Sequence, residues 1–442
     1  MTRPKVLYIV HNHPVVRPGG AEAYAYELYQ AMRDGGEVEP IFLARTGPPV
    51  SSAPRYHEGT LLASVGDDPN QTFFYTDTLE YDWFHGTSRN KSVYTRHLRD
   101  FLLARRPDVV HFQHTLFLGY DAITEVRNTL PEAPIVYTLH EFLPICHRNG
   151  QLLRVPDEKP CAGESPRRCH ECFPDLLPQA FFMRKRFIQS HLANVDLFLA
   201  PSRQLLERYV EWGIPREKIR FEDYGRLPVP SVPELEAPPR RTRLGFFGQL
   251  SHYKGINVLL EAMLIVRRRD PDVQLFVHGA NLDFQPEDFR TEFEALVERC
   301  GEAVKVGGPY DHAKLAGLMA RVDWVVVPSI WWENSPLVIQ EALVHRRPVI
   351  CSDIGGMAEK VTDGVDGLHF RASSPQALAE TILKAVGEPA RWSELRPSKP
   401  NVHDMEQHVA TLTELYRSLL AAESPRPPRR RPRKPAGLAH AG

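Results

Sequence analysis

The sequence predicts an α/β protein made of two doubly wound domains in tandem. Short apolar runs of the kind that form buried parallel strands recur along the chain, and segments with helical spacing of apolar residues separate them. The length of 442 residues also exceeds one compact core, and about 200 residues per domain is the natural division. We therefore expect strand–helix alternation in both halves.

In the first half, KVLYIV at 5–10 predicts a buried strand, and a helix with apolar residues on one face is expected to begin near Ala21. Further strands of this domain are predicted at 41–44, 108–112, 135–139 and 196–200. We assign residues 1–227 to this N-terminal domain.

The second half follows PVPSVPELEAPPRR at 228–241, a proline-rich and charged stretch that is typical of a linker. Residues 242–400 form the predicted C-terminal domain, with helices at 256–268 and 375–386. Its strands are predicted at 243–248, 273–279, 304–308, 324–329 and 348–353.

The chain ends with an amphipathic helix predicted at 403–420, within a segment bounded at 401–422, and a basic, proline-rich tail at 423–442. We expect the tail to be disordered. The alternative is attraction to anionic lipid, which contributes roughly 1 kcal/mol per basic residue near a membrane surface.

Composition excludes several classes of protein. The formal net charge of −1 argues against a nucleic-acid binder, and no apolar run approaches the roughly 18 residues of a membrane span. The N-terminus lacks the features of a signal peptide, so we expect a cytoplasmic protein. Six cysteines in such a protein argue against a disulfide framework.

Two glutamates bracket a predicted helix start in PSIWWENSPLVIQEAL, at 328–343. Pro336 suits the first helical position, with Asn334 or Ser335 as its cap. Free backbone amides at a helix start suit a phosphate, and carboxylates accept hydrogen bonds from sugar hydroxyls. Glu333 and Glu341 are thus suited to the two ends of a nucleotide-sugar. Spacing alone leaves open two solvated surface glutamates.

WENSPLVIQE resembles the E-x7-E motif of the retaining glycosyltransferases of family 4, which have the GT-B fold. The stretches at 347–370, 11–22 and 246–255 are similar to the segment after that motif, to the N-terminal glycine-rich loop and to the phosphate-contacting loop of the family. The similarity extends in order from about residue 5 to residue 420.

The resemblance implies two Rossmann-like domains facing each other across a cleft, with the nucleotide-sugar bound mostly to the C-terminal domain. Glu341 would hold the ribose hydroxyls, Glu333 would face the transferred sugar, and Lys254 would contact the diphosphate. Gly19 and Gly20 would let backbone approach it from the N-terminal side. The helix at 403–420 would cross back onto the N-terminal domain. The other residues expected to bind the donor are Gln249, Asn334, Ser335 and Leu337.

Two positions depart from the family pattern. Gln249 stands where the family usually has an arginine, which replaces a fixed charge by a neutral amide. Arg226 is our candidate for a substitute cation. Pro336 stands where many members have glycine, so that one backbone donor is lost.

His140 ends a predicted strand, at the edge where α/β sheets bind ligands. The resemblance places it near the donor sugar, and we assign it to positioning and charge stabilisation rather than covalent chemistry. Lys254 and Glu333 complete the catalytic set. The leaving phosphate is our candidate for the base that takes the acceptor's proton. For His111 and His114, a structural and a functional role both remain open.

Four of the six cysteines lie in an insertion at 141–183, which we call the cysteine insertion. They are Cys146, Cys161, Cys169 and Cys172. The last two form C-x2-C, half of a zinc site, and four thiolates suit a structural zinc ion or an iron–sulfur cluster. His147 or His170 could replace one ligand, and free surface cysteines are the alternative. We expect no cofactor to be required for catalysis.

The basic, aromatic stretch FFMRKRFIQSHL at 181–192 is compatible with an interfacial helix or with an ordinary surface helix. The predicted function is a retaining glycosyltransferase that moves a sugar from a UDP- or GDP-sugar to a glycan or lipid-linked acceptor. Its setting would be cell-surface polysaccharide biosynthesis at the inner face of the membrane, with peripheral membrane contact. The alternatives are a GT-B nucleotide-sugar epimerase and a non-catalytic binding relic.

Overall fold

The structure is a computed structural model that describes residues 3–16, 19–47, 61–228, 240–396 and 402–422. Most of the predicted linker and the whole basic tail at 423–442 lie outside the described residues. No helix within the described residues is long and apolar enough to cross a membrane.

The N-terminal domain is built on an eight-stranded sheet. Two further short strands, β5 (Tyr81–Asp82) and β6 (Thr87–Ser88), form a separate pair. The strands of the large sheet are β1 (Lys5–Val10), β2 (Glu39–Thr46), β3 (Leu62–Val65), β4 (Asp68–Tyr75), β7 (Val109–Phe112), β8 (Ile135–Thr138), β9 (Leu197–Ala200) and β10 (Ile219–Phe221). The order in the large sheet is β10-β9-β8-β7-β1-β2-β4-β3. All pairs are parallel except β3 with β4, which is antiparallel.

Helices cover both faces of this sheet. They are α1 (Gly20–Gly35), α2 (Arg99–Arg105), α3 (Asp121–Thr129), α4 (Pro166–Cys172), α5 (Pro178–Leu192) and α6 (Arg203–Trp212). Side chains of α2, α3, α5 and α6 share one apolar cluster with one face of the strands, and α1 packs on the opposite face. A π-helical segment, Val93–Leu98, leads into α2.

The C-terminal domain has a six-stranded, fully parallel sheet in the order β13-β12-β11-β14-β15-β16. Its strands are β11 (Arg243–Gln249), β12 (Gln274–Ala280), β13 (Val304–Gly308), β14 (Trp324–Val327), β15 (Val349–Ser352) and β16 (Gly367–Phe370). Its helices are α7 (Ile256–Arg269), α8 (Glu287–Cys300), α9 (Leu315–Met319), α10 (Leu337–Val344), α11 (Gly355–Lys360), α12 (Pro375–Gly387) and α13 (Pro389–Leu395).

The last helix, α14 (Met405–Ala421), packs on the N-terminal domain. Its Leu412 and Tyr416 are fully buried and join the cluster that α1 forms with the first sheet. The chain leaves the N-terminal domain next to the point where it returns. Arg226 donates its N–H to the carbonyl of His403 at 2.9 Å, and Met405 donates to the carbonyl of Arg226 at 3.0 Å.

The architecture is the predicted one, because two Rossmann-like α/β domains with parallel sheets form a GT-B fold. The predicted strands and helices are present with end points shifted by a few residues. The prediction missed β3, β4, β5, β6, β10 and β16, of which β5 and β6 have only two residues each. β4 begins with the polar sequence DPNQ, and β10 and β16 have only three and four residues, so none carries the long apolar run that marks a buried strand.

Candidate active site

The segment before α10 was predicted correctly as a helix start but incorrectly in its capping. Pro336 precedes the helix, with extended backbone angles of φ −64° and ψ 117°, and the first helical residue is Leu337. No side chain caps this end. Asn334 and Ser335 are instead occupied by contacts with the N-terminal domain, which hold them away from the helix amides.

Asn334 joins the motif to the end of β8. Its Nδ2 donates to the carbonyls of Leu139 and His140, both at 3.3 Å, and its Oδ1 accepts from Ser202 at 2.7 Å. Ser335 donates to Asp223 at 2.9 Å. These bonds place the predicted helix start of one domain directly against the predicted ligand edge of the other.

Glu333 is buried, with 5% of its surface exposed. One of its oxygens, Oε1, accepts from three donors, which are Lys254 Nζ at 2.6 Å, Ser329 Oγ at 2.7 Å and Trp331 Nε1 at 3.0 Å. The other oxygen takes none of these contacts. The carboxylate is therefore held in one orientation by a cation and two neutral donors.

Lys254 is placed by a tight turn after β11. It ends the 3-10 turn His252–Lys254, and Gly255 follows with a left-handed φ of 68°. A Cβ atom at Gly255 would lie 1.9 Å from the carbonyl oxygen of Pro328. Only glycine permits this approach, and the approach brings Lys254 to the loop that carries Glu333.

Glu341 lies on α10 and is shared between the domains. Its Oε1 accepts from Arg226 at 3.1 Å and contacts His312 Nε2 at 3.1 Å, while its second oxygen takes neither contact. Arg226 is buried and also lies 3.5 Å from Glu27 on α1. The hydrogen bond with Glu341 raises the pKa of His312, against the opposing effect of partial burial.

Arg226 therefore neutralises the predicted ribose-binding glutamate. Its side chain forms ion pairs with Glu341 and Glu27, and its role as the substitute cation remains a prediction. Gln249 ends β11 with an exposed side chain. The diphosphate side of the cleft thus has Lys254 as its predicted cation.

Gly19 and Gly20 lie where α1 begins, opposite the start of α10. A Cβ atom on Gly20 would be 3.6 Å from Leu337 Cδ1, and one on Gly19 would be 2.5 Å from Glu22 Oε2. Leu337 packs against the apolar cluster of the N-terminal domain. Two helix N-termini thus approach each other, and each offers free backbone amides to an anion.

His140 follows β8, and its ring is fixed at both nitrogens. Nε2 lies 3.0 Å from Gln113 Oε1, and Nδ1 lies 2.6 Å from Tyr224 Oη. Since a carbonyl oxygen can only accept, Nε2 carries the proton and Nδ1 accepts from the tyrosine. Desolvation, and then the neighbouring His11, lower the pKa of His140 to about 3. The ring is neutral at physiological pH.

His114 and His111 differ in their surroundings. His114 packs 4.2 Å from His11 between ring centroids and lies 3.4 Å from Glu141. His111 is fully buried, and its nitrogens bond Thr138 and Tyr416 of α14, both at 2.7 Å. Burial lowers the pKa of His111 to about 3. These contacts give His111 a structural position beneath α14, and His114 a position near the cleft.

Sequence reasoning did not single out the His11–Glu22 pair, whose atoms are 2.9 Å apart, or Glu141. Burial raises the pKa of Glu141 to about 8. For Glu22, burial acts upward but His11 and hydrogen bonds outweigh it and lower the pKa. The available signal was positional, because His11 follows the end of β1 and Glu141 follows His140.

The four cysteines of the cysteine insertion line one cavity and carry free thiols. Within the part of the chain that the structure describes, the sole group of three or more metal-ligand atoms within 4.8 Å of one another is Glu222, His403 and His408. His403 and His408 each bond the same oxygen of Glu222, at 3.1 and 2.7 Å.

Two protein families match the chain in the order of its domains. "Glycosyltransferase Family 4" matches residues 18–221, and "Glycosyl transferases group 1" matches residues 232–398. D-inositol 3-phosphate glycosyltransferase 1 of Catenulispora acidiphila is 30% identical over 407 residues, covering 88% of each chain. The glycogen synthase of Mycobacterium tuberculosis is 23% identical over 397 residues, covering 87% of each.

A similar fold is found in the Anabaena protein Alr3699/HepE, whose structure was solved in complex with UDP-glucose. It has a TM-score of 0.63 at 16% identity, and the alignment covers 94% of this chain and all of that protein.

Proposed function

The chain belongs to the family 4, group 1 glycosyltransferases, which use nucleotide-sugar donors, and on that premise we propose its finer activity. It transfers a sugar, with retention of anomeric configuration, to a hydroxyl of a glycan or lipid-linked acceptor in cell-surface polysaccharide synthesis. One observation carries the proposal: Glu333 and Glu341 lie on either side of the α10 start, and Lys254 and the α1 start lie beside it.

The donor is held from three sides. The diphosphate lies at the facing helix starts and accepts from Lys254 and backbone amides. Glu341 uses its second oxygen for the ribose hydroxyls, since the first is occupied by Arg226 and His312. Glu333 likewise offers its second oxygen to hydroxyls of the transferred sugar.

The transfer breaks the bond between the sugar C1 and the diphosphate oxygen and forms a bond from C1 to the acceptor oxygen on the same face. The acceptor's proton passes to the departing diphosphate. His140 is neutral and donates its Nε2 proton to Gln113, so it does not serve as an acid or base. It positions the sugar, and its polar ring faces the positive charge that develops at C1.

Membrane contact is proposed at the start of α5. Leu177, Phe182 and Met183 are 67%, 54% and 59% exposed. Arg186 is exposed beside them, whereas Arg184 is buried and donates to the backbone carbonyls of the insertion. An apolar, basic surface fits an anionic bilayer that presents a lipid-linked acceptor. We expect sedimentation with anionic but not neutral vesicles, and loss of it in Phe182→Ser/Met183→Ser; equal sedimentation of that variant would contradict the assignment.

The first experiment is a thermal-shift screen against UDP-, GDP- and ADP-sugars, repeated on Glu341→Ala. A ligand that binds only the folded state raises the midpoint. The UDP-glucose complex of the Anabaena protein makes uridine donors the first to test. Release of nucleoside diphosphate excludes an epimerase, and the anomeric configuration of the product, read by NMR, tests retention. Binding without turnover would favour a binding relic.

A further inference from the structure

The cysteine insertion departs from the rest of the N-terminal domain in how it is held together. Its helix α4 has seven residues, no buried side chain and no side-chain cap. A helix of this length is not stable without tertiary contacts. Asn149, Leu152 and Glu158 adopt left-handed backbone angles that ordinary residues avoid. Something besides apolar burial is needed to fix this segment.

The four cysteines are the feature that α4 and the preceding loops share. All four line one cavity, with Cys169 and Cys172 presented by α4 and the other two by the loops before it. No three of these sulfurs lie within 4.8 Å of one another in the described structure, so the side chains must close around an ion to bind it together.

One backbone amide contacts these sulfurs directly, since the N–H of Val155 donates to Cys172 Sγ at 3.5 Å. Val155 lies in the loop between Cys146 and Cys161, so this loop meets α4 at a cysteine side chain.

We propose that the four cysteines together hold one zinc ion that staples the insertion. Four thiolates in tetrahedral arrangement form a closed structural zinc site, and the C-x2-C of α4 supplies half of it. The ion takes the place of the apolar core that α4 lacks.

The staple would act on the active site through three contacts with the donor-binding domain. Trp332 Nε1, next to Glu333, donates to the carbonyl of Cys161 at 3.2 Å. His252 lies 3.2 Å from Glu158, and the guanidinium of Arg148 lies 5.7 Å from the ring centre of Tyr253. The insertion thus touches the loops that carry both Glu333 and Lys254. We expect zinc removal to raise the donor KM several-fold.

The test is the metal content of the full-length protein by mass spectrometry. We expect about one zinc per chain in the wild type and in Cys300→Ser, whose thiol lies in the other domain. Cys146→Ser and Cys169→Ser should each lower the content at least about tenfold, because an incomplete tetrathiolate site exchanges its metal during purification. Zinc retained in both variants but lost in His403→Ala would overturn the proposal.

A second measurement covers variants that fail to fold. Titrating the native wild-type thiols with a mercurial reagent should release zinc in proportion to the modification of four cysteines. Release of no metal, recovery of the cysteines as two disulfides, or iron with acid-labile sulfide would each overturn the zinc assignment. None of these readouts depends on sugar transfer, so the result is independent of the proposed function.

Discussion

Two glutamates of one motif, eight positions apart, occupy contrasting surroundings. Glu333 is buried, and its three partners, Lys254, Ser329 and Trp331, all belong to its own domain. Glu341 is bound by Arg226, from the end of the other domain, and by the exposed His312. The contacts of the first lie within one domain, whereas the second has one contact, with Arg226, that crosses between the domains. We infer that Glu333 serves the reaction and Glu341 serves recognition.

The largest effect on activity is expected from Glu333→Gln, which tests whether Glu333 serves the reaction. The amide keeps the shape of the side chain but cannot balance the charge of Lys254, so we expect kcat to fall about 10²–10³-fold with little change in the unfolding midpoint. Nucleoside diphosphate release and thermal unfolding measure the two quantities. A loss of less than about tenfold would remove Glu333 from the catalytic set.

Glu333→Ala is a poorer probe, because the side chain is buried rather than lying free in a loop. Removing it leaves the donors of Lys254, Ser329 and Trp331 unpaired, at about 1–3 kcal/mol of stability.

The next largest effect is expected from Lys254→Met, which keeps the length of the side chain and removes its charge. Since Lys254 would contact the diphosphate, kcat/KM should fall about 10²-fold through the loss of a charged contact. Combined with Glu333→Gln, the losses should be clearly less than additive, because the two side chains bond each other. Steady-state kinetics of both single variants and the double variant measure this coupling. Additive losses would show that the pair does not act as a unit.

Glu341→Gln should have a smaller and different effect. We expect the donor KM to rise about tenfold with kcat nearly unchanged, because the ribose contact is the same in the ground and transition states. Glu27→Gln is the matched control, since it also removes a carboxylate near Arg226 but lies on α1. Equal KM values for the two variants would mean that the neutralisation of Arg226, and not ribose binding, explains the change.

A third glutamate extends the comparison and gives the smallest effect. Burial raises the pKa of Glu141 to about 8, so the folded state binds more protons than the unfolded state between about pH 4.5 and 8. This group therefore lowers stability as the pH rises through that window. In the opposite direction, burial lowers the pKa of His140 and His111 to about 3, so both favour folding as the pH rises from about 3 to 6.5.

Glu141→Gln removes only the first of these contributions. The unfolding midpoint of the variant minus that of the wild type should be a few degrees larger at pH 8 than at pH 5, as followed by circular dichroism. Parallel pH profiles of the two proteins would show that Glu141 ionises normally.

The sequence was sufficient for the parts of the fold that depend on local patterns. Buried parallel strands have continuous apolar runs, and α1 has a regular helical spacing, so their positions follow from residues that are near in the chain. The motif around Glu333 and Glu341 was also recognisable, because its residues are contiguous. Their proposed roles remain predictions that the experiments above would test.

Contacts between distant segments were not predictable. The Arg226–Glu341 bond, the Asn334 bridge to His140 and the His11–Glu22 pair join residues whose proximity depends on the domain arrangement. The capping prediction for Asn334 and Ser335 was wrong for the same reason. Local propensity favours these side chains as caps, but hydrogen bonds to Ser202 and Asp223 determine their orientation.

The two segments that connect the domains lie side by side at Arg226 and Asp404. Arg226 and Asp404 form a parallel bridge, so the outgoing and returning strands are tied at one place. Glu222 reinforces this tie through His403 and His408. Because Arg226 itself bonds Glu341, the start of α10 is connected to the place where the two segments that join the domains meet.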